Sequence, residues 1–175
     1  MSLYDIAVKH GTDKGSHGYC PHYEQLISPK LRLLEMGIAG SSSLRMWREW
    51  LPGAEIVGFD CNLGDCQKAQ GIGFQAIHGN QANTDDLNTI PGAFNIIVDD
   101  AGHNEDEQKV AFRFLWPKLL PQGWYIIEDL NCSRINNAPP DSIEAIAKSE
   151  PDIQEVHHIC ASGGNGSAIL FLKKK

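Results

Sequence analysis

The chain has 175 residues, of which 42% are hydrophobic and 21% charged, with a formal net charge of −7. That size predicts one domain over residues 1–175 with a real core. The acidic balance speaks against a partner such as nucleic acid held through a basic face. No stretch approaches the roughly 20 apolar residues of a membrane span, and the N-terminus has no secretory apolar core. Five cysteines without a Cys-x-x-Cys pair argue against a disulfide scaffold or zinc knuckle and for reduced thiols in the cytoplasm.

Short apolar runs alternate with amphipathic stretches along the chain. In order, helix 19–27 precedes strand 31–36, then helix 42–50, strand 55–60, helix 64–70, strand 73–78, helix 85–89 and strand 94–99. Helix 104–120, strand 124–128, helix 141–148 and strands 153–160 and 167–173 follow. Val110, Phe114, Leu115 and Leu119 share one side of helix 104–120, Asn104 is a candidate N-cap, and Pro117 is expected to end or kink it. The last two strands, joined through the glycine-rich segment 161–166, read as an antiparallel hairpin. This rhythm predicts an α/β fold: a doubly wound, Rossmann-like, mostly parallel seven-stranded sheet. Ligands of such sheets bind at the carboxyl ends of the strands, so the residues just after each strand are the candidates for function.

The turn after the first strand reads Glu35-Met-Gly37-Ile-Ala39-Gly40. Its glycines permit a tight turn and close approach of a ligand to the main chain. A dinucleotide turn would read Gly-x-Gly-x-x-Gly. Here an acid precedes the first glycine, which repels a pyrophosphate but accepts hydrogen bonds from an ammonium group. Asp60 ends the second strand, where an acid can take the hydroxyls of a ribose. Asn80 and Gln81 follow the third strand and suit an adenine edge. Together these features point to S-adenosylmethionine; the alternative is that the glycines only turn the chain and Asp60 only caps a helix.

Asn95-Ile-Ile-Val-Asp-Asp-Ala-Gly-His103 and Trp124-Tyr-Ile-Ile-Glu-Asp-Leu130 both end buried strands in paired acids. Asp100, Glu128 and Asp129 are hard oxygen donors suited to Mg²⁺. An imidazole can exchange a proton near neutral pH, which makes His103 the candidate general base. The bland alternative is that the acids cap adjoining helices. Asp99 is assigned to the cofactor side or to local structure. The other histidines, His17 among them, are too scattered in sequence for a metal set.

Gly11-Thr-Asp-Lys-Gly-Ser-His-Gly-Tyr19, Leu34-Glu-Met-Gly-Ile-Ala-Gly-Ser-Ser-Ser-Leu44, Val98-Asp-Asp-Ala-Gly-His103 and Ile127-Glu-Asp-Leu130 carry a resemblance over roughly residues 10–130. The chain resembles the metal-dependent class I methyltransferases that act on sugars of macrolides, and cephalosporin hydroxylase-like proteins share much of this pattern. The resemblance implies S-adenosylmethionine in the glycine turn, Mg²⁺ on Asp100, Glu128 and Asp129, and His103 as the base that deprotonates a sugar hydroxyl. It places Glu35, Gly37, Asp60 and Asn80 around the cofactor. Residues 1–30 become a cofactor-covering segment, in which Thr12, Lys14 and Tyr19 close over it and Lys14 pairs with its carboxylate. Residues 130–141 are the candidate substrate loop. The expected partner is a small-molecule hydroxyl acceptor, with no nucleic acid or membrane, and a homo-oligomer is compatible with the sequence. Two rivals stay open: another small-molecule transferase or hydroxylase-like enzyme, and a non-catalytic cofactor-binding protein. The absence of two metal-ligating histidines argues against an iron oxygenase.

Overall fold

A computed structural model of the chain describes residues 1–26, 32–161 and 166–175. Parallel strands β1 (Arg32–Met36), β2 (Glu55–Asp60), β3 (Gln75–His78), β4 (Phe94–Asp99) and β5 (Leu119–Asn131) are followed by antiparallel β6 (Ile153–Cys160) and β7 (Ser167–Lys174). The sheet order is β3-β2-β1-β4-β5-β7-β6, the doubly wound architecture with an antiparallel C-terminal pair. Strand order reverses between β1 and β4, and that crevice is where such sheets bind ligands. No helix among the described residues is long and apolar enough to cross a membrane.

Among the described residues, seven α-helices cover the sheet: α1 (Leu3–His10), α2 (Cys20–Leu26), α3 (Ser42–Trp50), α4 (Leu63–Gly71), α5 (Thr84–Asn88), α6 (Glu105–Leu115) and α7 (Ile143–Lys148). Side chains of each strand alternate between the two faces. Leu33, Ile96, Ile126 and Phe171 therefore pack on one face with Leu3, Tyr23 and Trp47. Leu34, Ile97, Ile127 and Leu170 pack on the other with Phe112, Leu115 and Ile143. Both faces are buried, which is why the strands are continuously apolar rather than alternating. Trp47 and Trp116 lie in these cores.

Several elements depart from the sequence reading. Helix α1 was not expected. Its signal is a capping box in which Ser2 and Asp5 bond each other's backbone N–H groups, but Tyr4 and Val8 are exposed and blur its apolar stripe. Helix α6, N-capped by Asn104, stops at Leu115; Trp116–Lys118 tighten into a 3-10 turn around Pro117. Leu119 and Leu120 then already belong to β5, because Leu119 pairs with Phe94 before the register shifts. The expected ends at Ile27 and Leu31, and residues 162–165 of the glycine-rich turn, lie outside the described residues.

The reading of all cysteines as reduced thiols is corrected. Cys132 and Cys160 form a disulfide with Cα atoms 5.2 Å apart, within the normal range. They are 28 residues apart in sequence, but β5, which ends just before Cys132, and β6, which carries Cys160, flank β7, where Asn131 pairs with Ser167 and Cys160 with Ala168. Cys20, Cys61 and Cys66 are free.

Candidate active site

A cavity of about 610 Å³ opens at the carboxyl ends of β1 to β4. Thr12, Gly37, Ala39, Gly40, Asp60, Asn80, Gln81, Asp100 and His103 line it, so residues expected from five separate segments converge there. The register explains the convergence: Met36 pairs with both Phe59 and Asp99, which aligns the ends of three strands. Gly37 has φ +80°, and a Cβ at this position would run into the backbone of Asp100 and Ala101. Only glycine lets the turn and the β4 end approach this closely.

Asp60 braces the turn. Its Oδ2 accepts the N–H groups of Ile38 (2.8 Å) and Ala39 (3.1 Å), and its Oδ1 accepts that of Asn62 (2.7 Å). Asn80 closes a local turn by accepting from the Ala82 N–H at 2.8 Å. Gln81 is almost fully buried; its Nε2 donates to Glu107 at 3.3 Å, whereas its Oε1 has no partner among the described residues. An orphaned acceptor in a cavity wall calls for a ligand donor or a water.

Lys14 lies behind this cavity, fully buried. Its Nζ contacts Asp100 Oδ2 at 2.5 Å, Glu128 Oε2 at 2.9 Å and Glu35 Oε1 at 3.3 Å. Burial alone would lower the lysine's pKa, but the three carboxylates drive it well above its usual value. The Tyr23 hydroxyl donates to Glu128 Oε1, and Ser43 donates to Glu35 at 2.7 Å. Burial raises the pKa values of Glu35, Asp100 and Glu128 although Lys14 pulls each of them down. Lys14, expected to reach a cofactor carboxylate, here contacts three protein carboxylates. Glu35 and Tyr19 also lie outside the cavity lining. Asp99 faces the buried Tyr125, and burial pushes its carboxyl up to about 7.

Asp129 stands on the open side of this network. Tyr19 donates to it at 2.7 Å, His17 Nδ1 lies 3.3 Å away, and His103 Nε2 lies 3.4 Å away. Asp100, His103 and Asp129 can each offer a ligand atom, all within 4.8 Å of one another. Glu128, the third expected metal ligand, contacts Lys14 and Tyr23. His17, Tyr23 and Glu107 were missed by the sequence reading. His17 was detectable only as part of the same segment as Lys14.

Four of the five described non-glycine residues with positive φ cluster at this site: Ala39, Ser41, His103 (+50°) and Asp129 (+56°). Left-handed backbone in non-glycine residues costs energy and concentrates where function demands a side-chain position. His103 also lines a second, smaller cavity of about 200 Å³ on its far side, together with Asp129, Leu130, Arg134, Ile143 and Glu144.

No protein-family model matches the chain. The 8-demethyl-8-(2-methoxy-alpha-L-rhamnosyl)-tetracenomycin-C 3'-O-methyltransferase of Streptomyces olivaceus is 33% identical over 144 residues, covering 71% of this chain and 36% of that protein. Mycinamicin VI 2''-O-methyltransferase of Micromonospora griseorubida is 30% identical over 144 residues, covering 73% and 36%. The fold matches the MycE methyltransferase of mycinamycin biosynthesis, solved with Mg, SAH and mycinamycin VI, at a TM-score of 0.81 and 22% identity, over 99% of this chain and 53% of that one. This is the class I methyltransferase fold, in a relative of sugar O-methyltransferases. Aeropyrum pernix fibrillarin, solved with S-adenosyl-L-methionine, shares the fold at a TM-score of 0.66 and 13% identity, over 84% of this chain and 68% of that one. The chain spans about a third of the length of the curated relatives it matches, 36% for both.

Proposed function

We propose that this chain is an S-adenosylmethionine-dependent O-methyltransferase that acts on a hydroxyl of a small molecule, a sugar or sugar-bearing natural product, with a divalent cation such as Mg²⁺ in its site. The observation that carries the reading is the position of His103, which lines both cavities and adjoins Asp129. One cavity is large enough for a nucleoside cofactor, and the other opens beside the base.

The residues fit the cofactor. Gly37 and Gly40 leave room for close approach, Asp60 is poised at the end of β2, and the orphaned Gln81 Oε1 seeks a donor. Gly11, Thr12 and Asp13 line the same cavity, which supports a covering role for residues 1–30. When bound, S-adenosylmethionine supplies an electrophilic methyl group. The residues also fit a hard divalent cation. Glu35, Asp100 and Glu128 share the single ammonium of Lys14, and Asp129 offers a fourth carboxylate close to Asp100. Asp100 and Asp129 are the more exposed of these side chains, at 17% and 21%. These two would hold the cation, which would supply Lewis acidity to an acceptor hydroxyl.

In this scheme His103 takes the acceptor proton, and Asp129 orients the imidazole and stabilises its protonated form. Tyr19 and His17 in turn fix Asp129. Positioning of the acceptor oxygen supplies much of the remaining rate gain.

Thermal unfolding with S-adenosylmethionine, with and without Mg²⁺, tests the reading. A ligand at 100 times its dissociation constant stabilises by about 2.7 kcal/mol. A raised Tm with cofactor, and a Mg²⁺ response that Asp100→Asn abolishes, are expected. No shift with saturating cofactor would sink the methyltransferase; a shift that ignores the metal would remove the cation alone.

A further inference from the structure

One covalent bond ties the wall of the smaller cavity to the edge of the sheet. Asp129, Leu130, Asn131 and Arg134 line that cavity, and Cys132 lies among them at the start of the 3-10 turn Cys132–Arg134. Strand β5 shifts register against β7 between Ile127 and Leu130, so beyond the acids two residues, Leu130 and Asn131, pair with Ala168 and Ser167. Cys132 extends this short contact, its N–H donating to the Gly166 carbonyl at 3.0 Å. The Cys132–Cys160 bond then reaches across β7 to the last residue of β6. On the opposite side the segment is held by Arg134, whose Nη1 meets Glu105 Oε2 at 2.9 Å. Those side chains are 36% and 32% exposed, and ion pairs in contact with solvent hold weakly. The disulfide is the firmer tether.

We propose that Cys132–Cys160 is a reversible redox latch: oxidised, it pins the cavity wall to β6; reduced, it frees residues 131–136 while the sheet stays folded. As regulation of the active site the latch rests on the methyltransferase reading; as a thiol switch it stands alone. Cys160 is exposed and Cys132 half-buried, so a small thiol can reach the pair, whereas Cys20 and Cys66 are buried. Cys132 packs only against the margin of one buried core and Cys160 belongs to neither, so both cores close without the bond. The reduced state has a partner waiting: the Ser167 carbonyl, 3.0 Å from Cys132 Sγ, can accept its S–H. The ring that the bond closes, residues 132–160, carries Arg134, Ile143 and Glu144 of the cavity lining. The co-reactant is a low-molecular-weight thiol. Its thiolate attacks Cys160 Sγ, the protein S–S bond breaks, and Cys132 leaves as a thiolate that takes up a proton. A second thiol attacks the mixed disulfide and frees Cys160. Two thiols become one disulfide, and their two protons end on the two cysteines.

The test uses the full chain in glutathione buffers of graded ratio, with dithiothreitol as the reducing limit. Alkylation of the folded protein and mass spectrometry should show Cys132 and Cys160 gaining label together in one two-electron transition. The exposed Cys61 should be labelled throughout and serves as the internal control. Hydrogen exchange at residues 131–136 should speed up about tenfold or more on reduction, as for release of a locally opening segment, with β1 to β4 unchanged. Opening a ring of this size should lower Tm by about 5–15 °C. The double variant Cys132→Ser, Cys160→Ser should match the reduced wild type in exchange and Tm in every buffer; the wild type in dithiothreitol makes the same comparison if that variant folds poorly. Two free thiols in oxidised glutathione, a bond that resists excess dithiothreitol in the folded protein, or reduction without faster exchange at 131–136 would each overturn the latch. Calorimetry with S-adenosylmethionine in both redox states separates the two readings. A working latch without cofactor binding would keep the switch and reject the methyltransferase. Cofactor binding with a pair that never oxidises would do the reverse.

Discussion

The two cavities that meet at His103 are built in different ways. The larger is shaped by main chain: Gly37 and Gly40 in the β1 turn, the β4 end beyond Asp100, and backbone N–H groups anchored on Asp60. The smaller is shaped by side chains that arrive from the end of β5, from α6 and from α7. A pocket made by strand ends follows from the topology of the sheet and changes little when surface residues change. A pocket made by side chains of distant elements can be re-lined by a few substitutions without moving the sheet. In a fold that hosts many chemistries, the shared cofactor belongs to the first kind of pocket and the variable acceptor to the second.

Breaking the main-chain pocket should have the largest effect. Gly37→Ala places a methyl group against the Asp100 backbone at a residue with φ +80°. Loss of several kcal/mol of stability is expected, together with loss of cofactor binding; chemical denaturation and calorimetry measure the two. Next comes the junction itself. His103→Ala should lower kcat by about 10² to 10⁴, the usual worth of a general base, and leave the cofactor dissociation constant within a few-fold of wild type. If cofactor binding were lost as well, the two cavities could not be treated as separable.

A smaller effect lies behind the larger cavity. Burial raises the folded-state pKa of Asp99 to about 7, while the unfolded chain titrates near 3.9. Between those values the folded state binds more protons than the unfolded one, so this group lowers stability as pH rises through the window. Asp99→Asn should therefore gain stability above pH 7, on the order of 1–3 kcal/mol, and gain nothing near pH 4. Urea melts across pH, run in EDTA, test this. The smallest effect is remote from both cavities. His158 accepts from Lys148 Nζ at 3.0 Å, and burial lowers its pKa to about 4. There the unfolded state binds more protons from about pH 6.5 down to 4, so stability is lost as pH falls through that range. An NMR titration should find His158 neutral at pH 5.

The larger cavity was also the more legible from sequence. The turn 35–40, Asp60 and Asn80 could be placed because each follows an apolar run, and strand ends of a parallel sheet must align. Asp100 and Glu128-Asp129 could be paired for the same reason, since Asp99 and Ile127 are register partners. What could not be read was contact across long sequence separation. Nothing in the segment around Lys14 announces that its ammonium will reach Asp100, 86 residues on, or Glu128, 114 residues on. Helix α1 escaped because its short apolar stripe is diluted by exposed Tyr4 and Val8, and the Cys132–Cys160 pair escaped because β7 lies between their strands in space but after them in sequence.

The left-handed backbone at His103 and Asp129 bears on how this chain drifts over generations. At such positions glycine and asparagine are the residues that the backbone itself favours, and β-branched replacements are the worst. A duplicate freed from selection for its chemistry would gain stability by trading the histidine for glycine or asparagine. Keeping imidazole there runs against the local conformational preference, so each generation that retains it does so for the side chain alone. Among diverged copies of this domain, glycine at position 103 would mark a lineage that has given up the reaction while keeping the fold.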